Sequence, residues 1–100
     1  MFKIILESAN NERLESVGKE GNAEYLPQDE NEFEMLGDIS IFSCDIFASK
    51  DMEKLIIELK RLKERLIDIE HANHIDEIID LAKKCKSIKH SKLIFAPFEE

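Results

Sequence analysis

The sequence predicts a single α+β domain over residues 1–100, with two helices packed on one face of an antiparallel or mixed sheet of about four to five strands. Three observations support this prediction. The length of 100 residues fits one domain and leaves little room for a second. Apolar residues make up 43% of the chain, which is enough to build a core. The patterns along the chain follow the order strands, helix, helix, strand.

Extended segments dominate the first half of the chain. Residues 2–6 are β-rich and nearly all apolar, which indicates a first strand. Residues 13–17 and 23–26 flank a glycine-containing turn cluster, so we expect them to form a hairpin. Both faces of residues 39–47 are largely apolar, and this predicts a central strand covered on both sides, with Cys44 buried in it.

Helical periodicity dominates the second half. Ser49 is placed to cap a helix whose apolar face spans about five turns. This face consists of Met52, Leu55, Ile56, Leu59, Leu62, Leu66 and Ile69. We expect a break near residues 71–73, with Asn73 capping a second helix. Residues 93–96 indicate a last strand, which Pro97 ends.

The net charge of −8 lies entirely in the first half of the chain. Residues 1–49 hold three basic and eleven acidic side chains, whereas residues 50–100 hold eleven of each. Residues 20–38, here called the acidic segment, carry seven acids and no base. One interpretation is a solvated acidic loop. The other is a docking surface for a basic partner, which would offset the repulsion between clustered like charges. Direct nucleic-acid binding by this half is not expected, because phosphate contacts need cations.

The docking interpretation identifies particular contact residues. Tyr25 and Phe33 lie among the acids, and aromatic side chains are common anchors in protein interfaces. We expect these two to supply apolar contact while the neighbouring carboxylates supply charge complementarity. The predicted partner-binding residues are Glu24, Tyr25, Asp29, Glu30, Glu32, Phe33, Glu34 and Asp38.

No motif in the chain indicates catalysis, a metal or a cofactor. His71 and His74, with Cys85 or His90, are an incomplete zinc ligand set without a paired-cysteine motif. Cys44 could act as a nucleophile, yet thiols in buried strands are usually inert. The three glycines lack the spacing of nucleotide-binding loops. We therefore expect a protein that is not an enzyme and uses no metal or cofactor.

The cellular location is predicted from the apolar runs and the cysteines. No apolar stretch approaches the ~20 residues of a membrane span, and the run at residues 4–6 is too short for a secretory signal. Two cysteines are too few for a disulfide scaffold. We expect a cytoplasmic protein with both thiols free and no membrane partner.

The small size, the acidic charge and the acidic segment with Tyr25 and Phe33 resemble the cytosolic immunity proteins that bacteria pair with secreted toxins, such as those of contact-dependent growth inhibition. The resemblance covers the whole chain as a profile. It implies tight binding to one toxin domain, often a basic nuclease, and a block of its active site or substrate surface. The alternative is a homodimeric structural or regulatory module without a toxin partner, joined through the long helix or an edge strand.

Overall fold

The structure, a computed structural model, describes residues 1–97, so the last three residues of the predicted domain lie outside it. The strands are β1 (Lys3–Glu7), β2 (Arg13–Gly18), β3 (Asp45–Ala48) and β4 (Lys92–Ala96), and the helices are α1 (Met52–Arg65) and α2 (Ile69–Ser87). All strands pair antiparallel in one sheet, in the order β2-β1-β4-β3. The predicted α+β fold and the order strands, helix, helix, strand are confirmed.

The core lies between one face of the sheet and the two helices. Across the central pair of strands, Ile4 lies opposite Phe95 and Leu6 lies opposite Leu93. All four side chains are buried and pack in one cluster with the apolar faces of both helices. Within residues 1–97, neither helix is long and apolar enough to cross a membrane.

The break between the two helices lies earlier in the chain than the sequence pattern predicts. The first five members of the predicted face of α1 are buried, which confirms that part of it. The chain leaves α1 after Arg65, and the Asp68 carboxylate caps α2 by accepting a hydrogen bond of 2.8 Å from the Glu70 N–H. The predicted break at residues 71–73 is therefore wrong, because the capping residue is Asp68 and Asn73 lies inside α2.

The predicted central strand at residues 39–47 is shorter and lies at the edge of the sheet. Only its last three residues belong to β3, because local side chains take the backbone donors of the preceding turn. The Asp45 carboxylate accepts a hydrogen bond from the Ser40 N–H at 2.9 Å, and the Ser40 hydroxyl accepts one from the Phe42 N–H at 3.0 Å. As a result, Cys44 is exposed rather than buried.

The predicted hairpin between residues 13–17 and 23–26 does not form, since β2 pairs with β1. Asn22 begins a 3-10 turn, and its side chain binds the main chain of Phe2 on both sides. The Phe2 N–H donates to Asn22 Oδ1 at 2.6 Å, and Asn22 Nδ2 donates to the Phe2 carbonyl at 2.8 Å. The same Nδ2 lies 3.1 Å from His74 Nε2, which acts as the acceptor.

Ser49 does not cap α1 as predicted, because a 3-10 turn over Ser49–Asp51 precedes the helix. Its hydroxyl donates to the Cys85 carbonyl at 2.8 Å, near the end of α2. The Asp51 carboxylate accepts a hydrogen bond from the Ala48 N–H at 3.0 Å. Ser49 therefore connects the start of one helix to the end of the other.

The Asn22→Ala variant is expected to lose about 2–3 kcal/mol of unfolding free energy, because it leaves the buried main-chain groups of Phe2 without partners. Urea unfolding measures this loss. Asn73→Ala is the matched control, since Asn73 is exposed on α2 and its removal should change stability by less than about 0.5 kcal/mol. Equal losses in the two variants would contradict this account of Asn22.

Candidate partner-binding surface

The acidic segment is ordered against the domain by its apolar side chains. It contains two 3-10 turns, Asn22–Glu24 and Leu36–Asp38. Between and beside these turns, the buried side chains are Tyr25, Leu26, Phe33 and Leu36. Because these residues belong to the core, the acids that alternate with them are displayed on its surface.

Phe33 does not face solvent as the docking interpretation predicted, because its side chain is fully buried against α1. The guanidinium carbon of Arg61 lies 4.7 Å from the centre of the ring, and that of Arg65 lies 5.0 Å from it. Cations at this distance are attracted by the ring face and also cover it from water. Phe33 thus holds the segment to α1 and is not available as an interface anchor.

Tyr25 is likewise buried, with 7% of its surface exposed, so the predicted role as an exposed anchor is also corrected. Its ring stacks on that of His71 with 4.2 Å between centres. The phenolic oxygen has no hydrogen-bond partner within residues 1–97. Burial, with smaller contributions from the carboxylates of Asp68 and Glu77, raises the pKa of Tyr25 above its usual value.

Glu58 of α1 fixes the second turn of the segment. Its side chain is only 4% exposed, and its carboxylate oxygens accept hydrogen bonds of 3.0 Å and 3.1 Å from the Met35 N–H. A further bond of 3.0 Å comes from the Leu36 N–H. This buried acid therefore serves the structure. It was not among the predicted site residues, although Leu55 and Leu62, three positions before it and four positions after it on α1, belong to the buried face.

Two of the predicted contact acids are paired within the chain. Glu32 forms an ion pair with Arg65, and Glu34 forms one with Lys54. Each partner is about half exposed or more, so these pairs contribute about 0–1 kcal/mol to stability. They nevertheless cancel two charges of the segment. Within residues 1–97, no cation pairs with the remaining exposed acids, Glu20, Glu24, Asp29, Glu30 and Asp38.

The paired and unpaired acids meet at a shallow groove between the segment and α1, with a volume of about 360 Å³. Ile57 lies in it with 56% of its surface exposed. The groove is lined by Glu30, Asn31, Glu32, Glu34, Lys54, Ile57, Glu58 and Arg61. Ile57 was not among the predicted site residues, although an apolar residue outside the buried stripe of an amphipathic helix indicates an exposed apolar contact. The structure thus brings together three predicted acids and one exposed apolar side chain.

A second and larger groove, of about 910 Å³, is lined by several basic side chains, and their presence has a structural explanation. It lies at the end of α2, where the Cys85 carbonyl accepts hydrogen bonds from the hydroxyls of Ser49 and Ser91. The partial negative charge of a helix C-terminus is complemented by nearby cations, and it opposes a bound anion. The groove is lined by the charged residues Lys50, Asp51, Glu53, Lys86, Lys89 and Lys92, and by His90.

The histidines and cysteines that could carry chemistry are not assembled into one site. His74 is buried between Asn22 and Glu77, whose carboxylate lies 3.1 Å from its Nδ1. Burial raises the pKa of the Cys85 thiol, despite a hydrogen bond from the Ser91 hydroxyl that lowers it. Within residues 1–97, no group of three or more His, Cys, Asp or Glu side chains is arranged to hold a metal ion.

Comparison of the chain with models of protein families, with curated proteins and with solved structures finds no match. The function is therefore inferred from the surface chemistry of the chain itself.

Replacing Glu58 by Ala should lower the unfolding free energy by about 2–4 kcal/mol, since it leaves the N–H groups of Met35 and Leu36 without a charged acceptor. The measurement is urea denaturation. Glu64→Ala, at an exposed position of the same helix, is the control and should be nearly neutral. If both variants were equally stable, the carboxylate of Glu58 would not be holding the segment.

Titration of Tyr25 provides a pH test of the same surface. Its raised folded-state pKa means that this tyrosine ionises first in the unfolded chain, so its contribution to stability should be fully present below about pH 10 and be lost as pH rises through the folded-state value. The chain has one tyrosine, so ultraviolet absorbance of tyrosinate follows this group alone. Titration at the ordinary value of about 10 in the folded protein would contradict its burial.

Proposed function

We propose that the chain is a binding protein without catalytic activity, which blocks the cationic surface of a basic protein partner. The partner class that fits best is a toxin nuclease, so that the chain would act as its immunity protein. The exposed and unpaired acids of residues 20–38 carry this proposal. They would occupy the positions that phosphates take on the partner and would speed the encounter by electrostatic steering.

The way the segment is held favours binding over a merely solvated loop. Tyr25 and Phe33 are buried, and Glu58 binds the backbone at Met35 and Leu36. The carboxylates are therefore positioned before a partner arrives, which lowers the entropy cost of association.

Ile57 takes the role that the sequence analysis gave to Tyr25 and Phe33. It is exposed within the groove and is surrounded by charged side chains, as a small apolar contact is inside a polar rim. Lys54 and Arg61 line the same groove, so a partner that is uniformly cationic is repelled there. We infer that the partner presents an apolar or acidic group to the groove and cations to the surrounding acids.

We also propose a cytoplasmic location, as the sequence analysis expected. Cys44 and Cys85 are both free, and Cys44 is exposed. Unpaired, exposed thiols are typical of proteins in a reducing compartment.

The triple variant Glu24→Lys, Glu30→Lys, Asp38→Lys should lose the partner, because it reverses three exposed acids that no cation of residues 1–97 neutralises. The partner is the polypeptide that co-purifies with the untagged chain at low salt. We expect at least about a hundredfold weaker binding and a flatter salt dependence. Isothermal titration at several salt concentrations measures both, and the recovered polypeptide is assayed for nuclease activity with and without the chain.

The matched control for charge is Glu12→Lys, Glu64→Lys, Asp80→Lys, which changes net charge equally at exposed positions outside the acidic segment. This control should bind almost as the wild type does. An equal loss of affinity in both triple variants would mean that net charge, and not the acidic segment, determines binding. A recovered partner whose nuclease activity is absent, or is unaffected by the chain, would refute the immunity role.

A further inference from the structure

β3 is an edge strand of the sheet that residues 1–97 form. β3 pairs with β4 on one side, and no other strand within residues 1–97 pairs with its outer side. An edge strand presents unpaired main-chain N–H and carbonyl groups on its outer side, so it can pair with a strand of another chain.

The direction of the main-chain groups follows from the pairing of β3 with β4. The Ser49 N–H donates to the Ser91 carbonyl at 3.1 Å. Extending the register of β3 and β4 by one residue beyond Ala48 and Lys92 places these two residues opposite each other. Hydrogen-bonded and non-bonded pairs alternate along antiparallel strands. Ile46 therefore lies three positions away at a non-bonded pair, so its N–H and carbonyl point to the outer edge. The next outward N–H, that of Ala48, is already bound by the Asp51 carboxylate.

The two edges of this sheet are protected to different degrees. The other edge strand, β2, carries the charged Arg13 and Glu15, and its pairing with β1 is irregular near Leu6. Charges and bulges are the usual devices that prevent an edge from pairing. β3 contains no lysine, proline or bulge, and its one charged side chain, Asp45, is held by the Ser40 N–H.

The open face of the sheet carries an apolar row that ends at this edge. Ile5, Ile94 and Ile46 lie opposite one another on β1, β4 and β3, on the face away from the helices. Exposure increases along the row, from 5% at Ile5 to 61% at Ile46. Phe42, in the turn before β3, is 81% exposed. Exposed apolar side chains grouped in this way mark interaction sites.

We propose that β3 is a self-association edge, at which a second copy of the chain pairs antiparallel about a twofold axis through Ile46. The two Ile46 residues then exchange both of their free main-chain hydrogen bonds. The helices of both copies lie on the same face of the joined sheet, and the two apolar rows become continuous. This proposal is independent of the proposed function.

The symmetric register favours a second copy because it places no like charges opposite each other on β3. Asp45 comes to lie opposite Phe47 of the other copy rather than opposite a second carboxylate. The alternative route to a dimer, through the long helix, lacks a free apolar stripe, because the apolar face of α1 is buried inside the domain.

Sedimentation equilibrium of the full chain across the micromolar range tests the proposal. We expect the wild type to dimerise and Ile46→Lys to raise the dimer dissociation constant at least about tenfold, since a lysine on an edge strand opposes pairing. Ile67→Lys is the matched control, because Ile67 is fully exposed between the helices, and it should dimerise as the wild type does. Ile46 is itself exposed, so the variant should fold, and urea unfolding of both variants verifies this.

Hydrogen exchange gives a second measurement that needs no variant. The Ile46 amide should exchange rapidly in dilute protein and become protected as the concentration rises. Added salt should strengthen the dimer, because it screens the repulsion between two chains of net charge −8, whereas it should weaken binding of a basic partner. A wild type that stays monomeric, or a dimer unaffected by Ile46→Lys, overturns this proposal and leaves the proposed function untouched.

Discussion

The attachment of the acidic segment to α1 is the constraint on which the rest of the surface depends. Phe33 lies beneath Arg61 and Arg65, and Glu58 binds the backbone two and three residues later in the chain. Without these contacts, seven acids would repel one another in an extended loop. These contacts hold the negative charges of the segment in one arrangement, and they use a few cations of α1 to do so.

The contacts that hold this surface and those that neutralise it are different in kind. The hydrogen bonds to Glu58 are buried, so breaking them leaves donors without partners. The ion pairs of Glu32 and Glu34 are solvated and cost little to separate. The segment can therefore keep its backbone position while Arg65 and Lys54 exchange their ion-pair partners. This combination of a fixed backbone and exchangeable ion pairs is suited to recognition by charge.

Periodicity predicted most of the elements, and local side-chain chemistry accounts for most of the errors. The pattern of α1 and the apolar last strand were sufficient to predict the fold class. The strand predicted at residues 39–47 was too long, because Ser40 and Asp45 bind nearby N–H groups. The alternation of apolar residues gives no information about these local hydrogen bonds. At the candidate surface, the position of the acids followed from composition. The burial of Tyr25 and Phe33 did not, because Phe33 packs against α1 and Tyr25 against α2, both far along the chain.

The place of β4 in the sheet has a consequence for biosynthesis. β4 follows β1, β2 and β3 in the chain, yet it lies between β1 and β3. Until it emerges from the ribosome, β1 lacks a neighbour on that side and β3 has none among the described strands. Cotranslational folding can therefore form the helical pair and the first two strands, but the sheet of β1 to β4 cannot close before β4 is available.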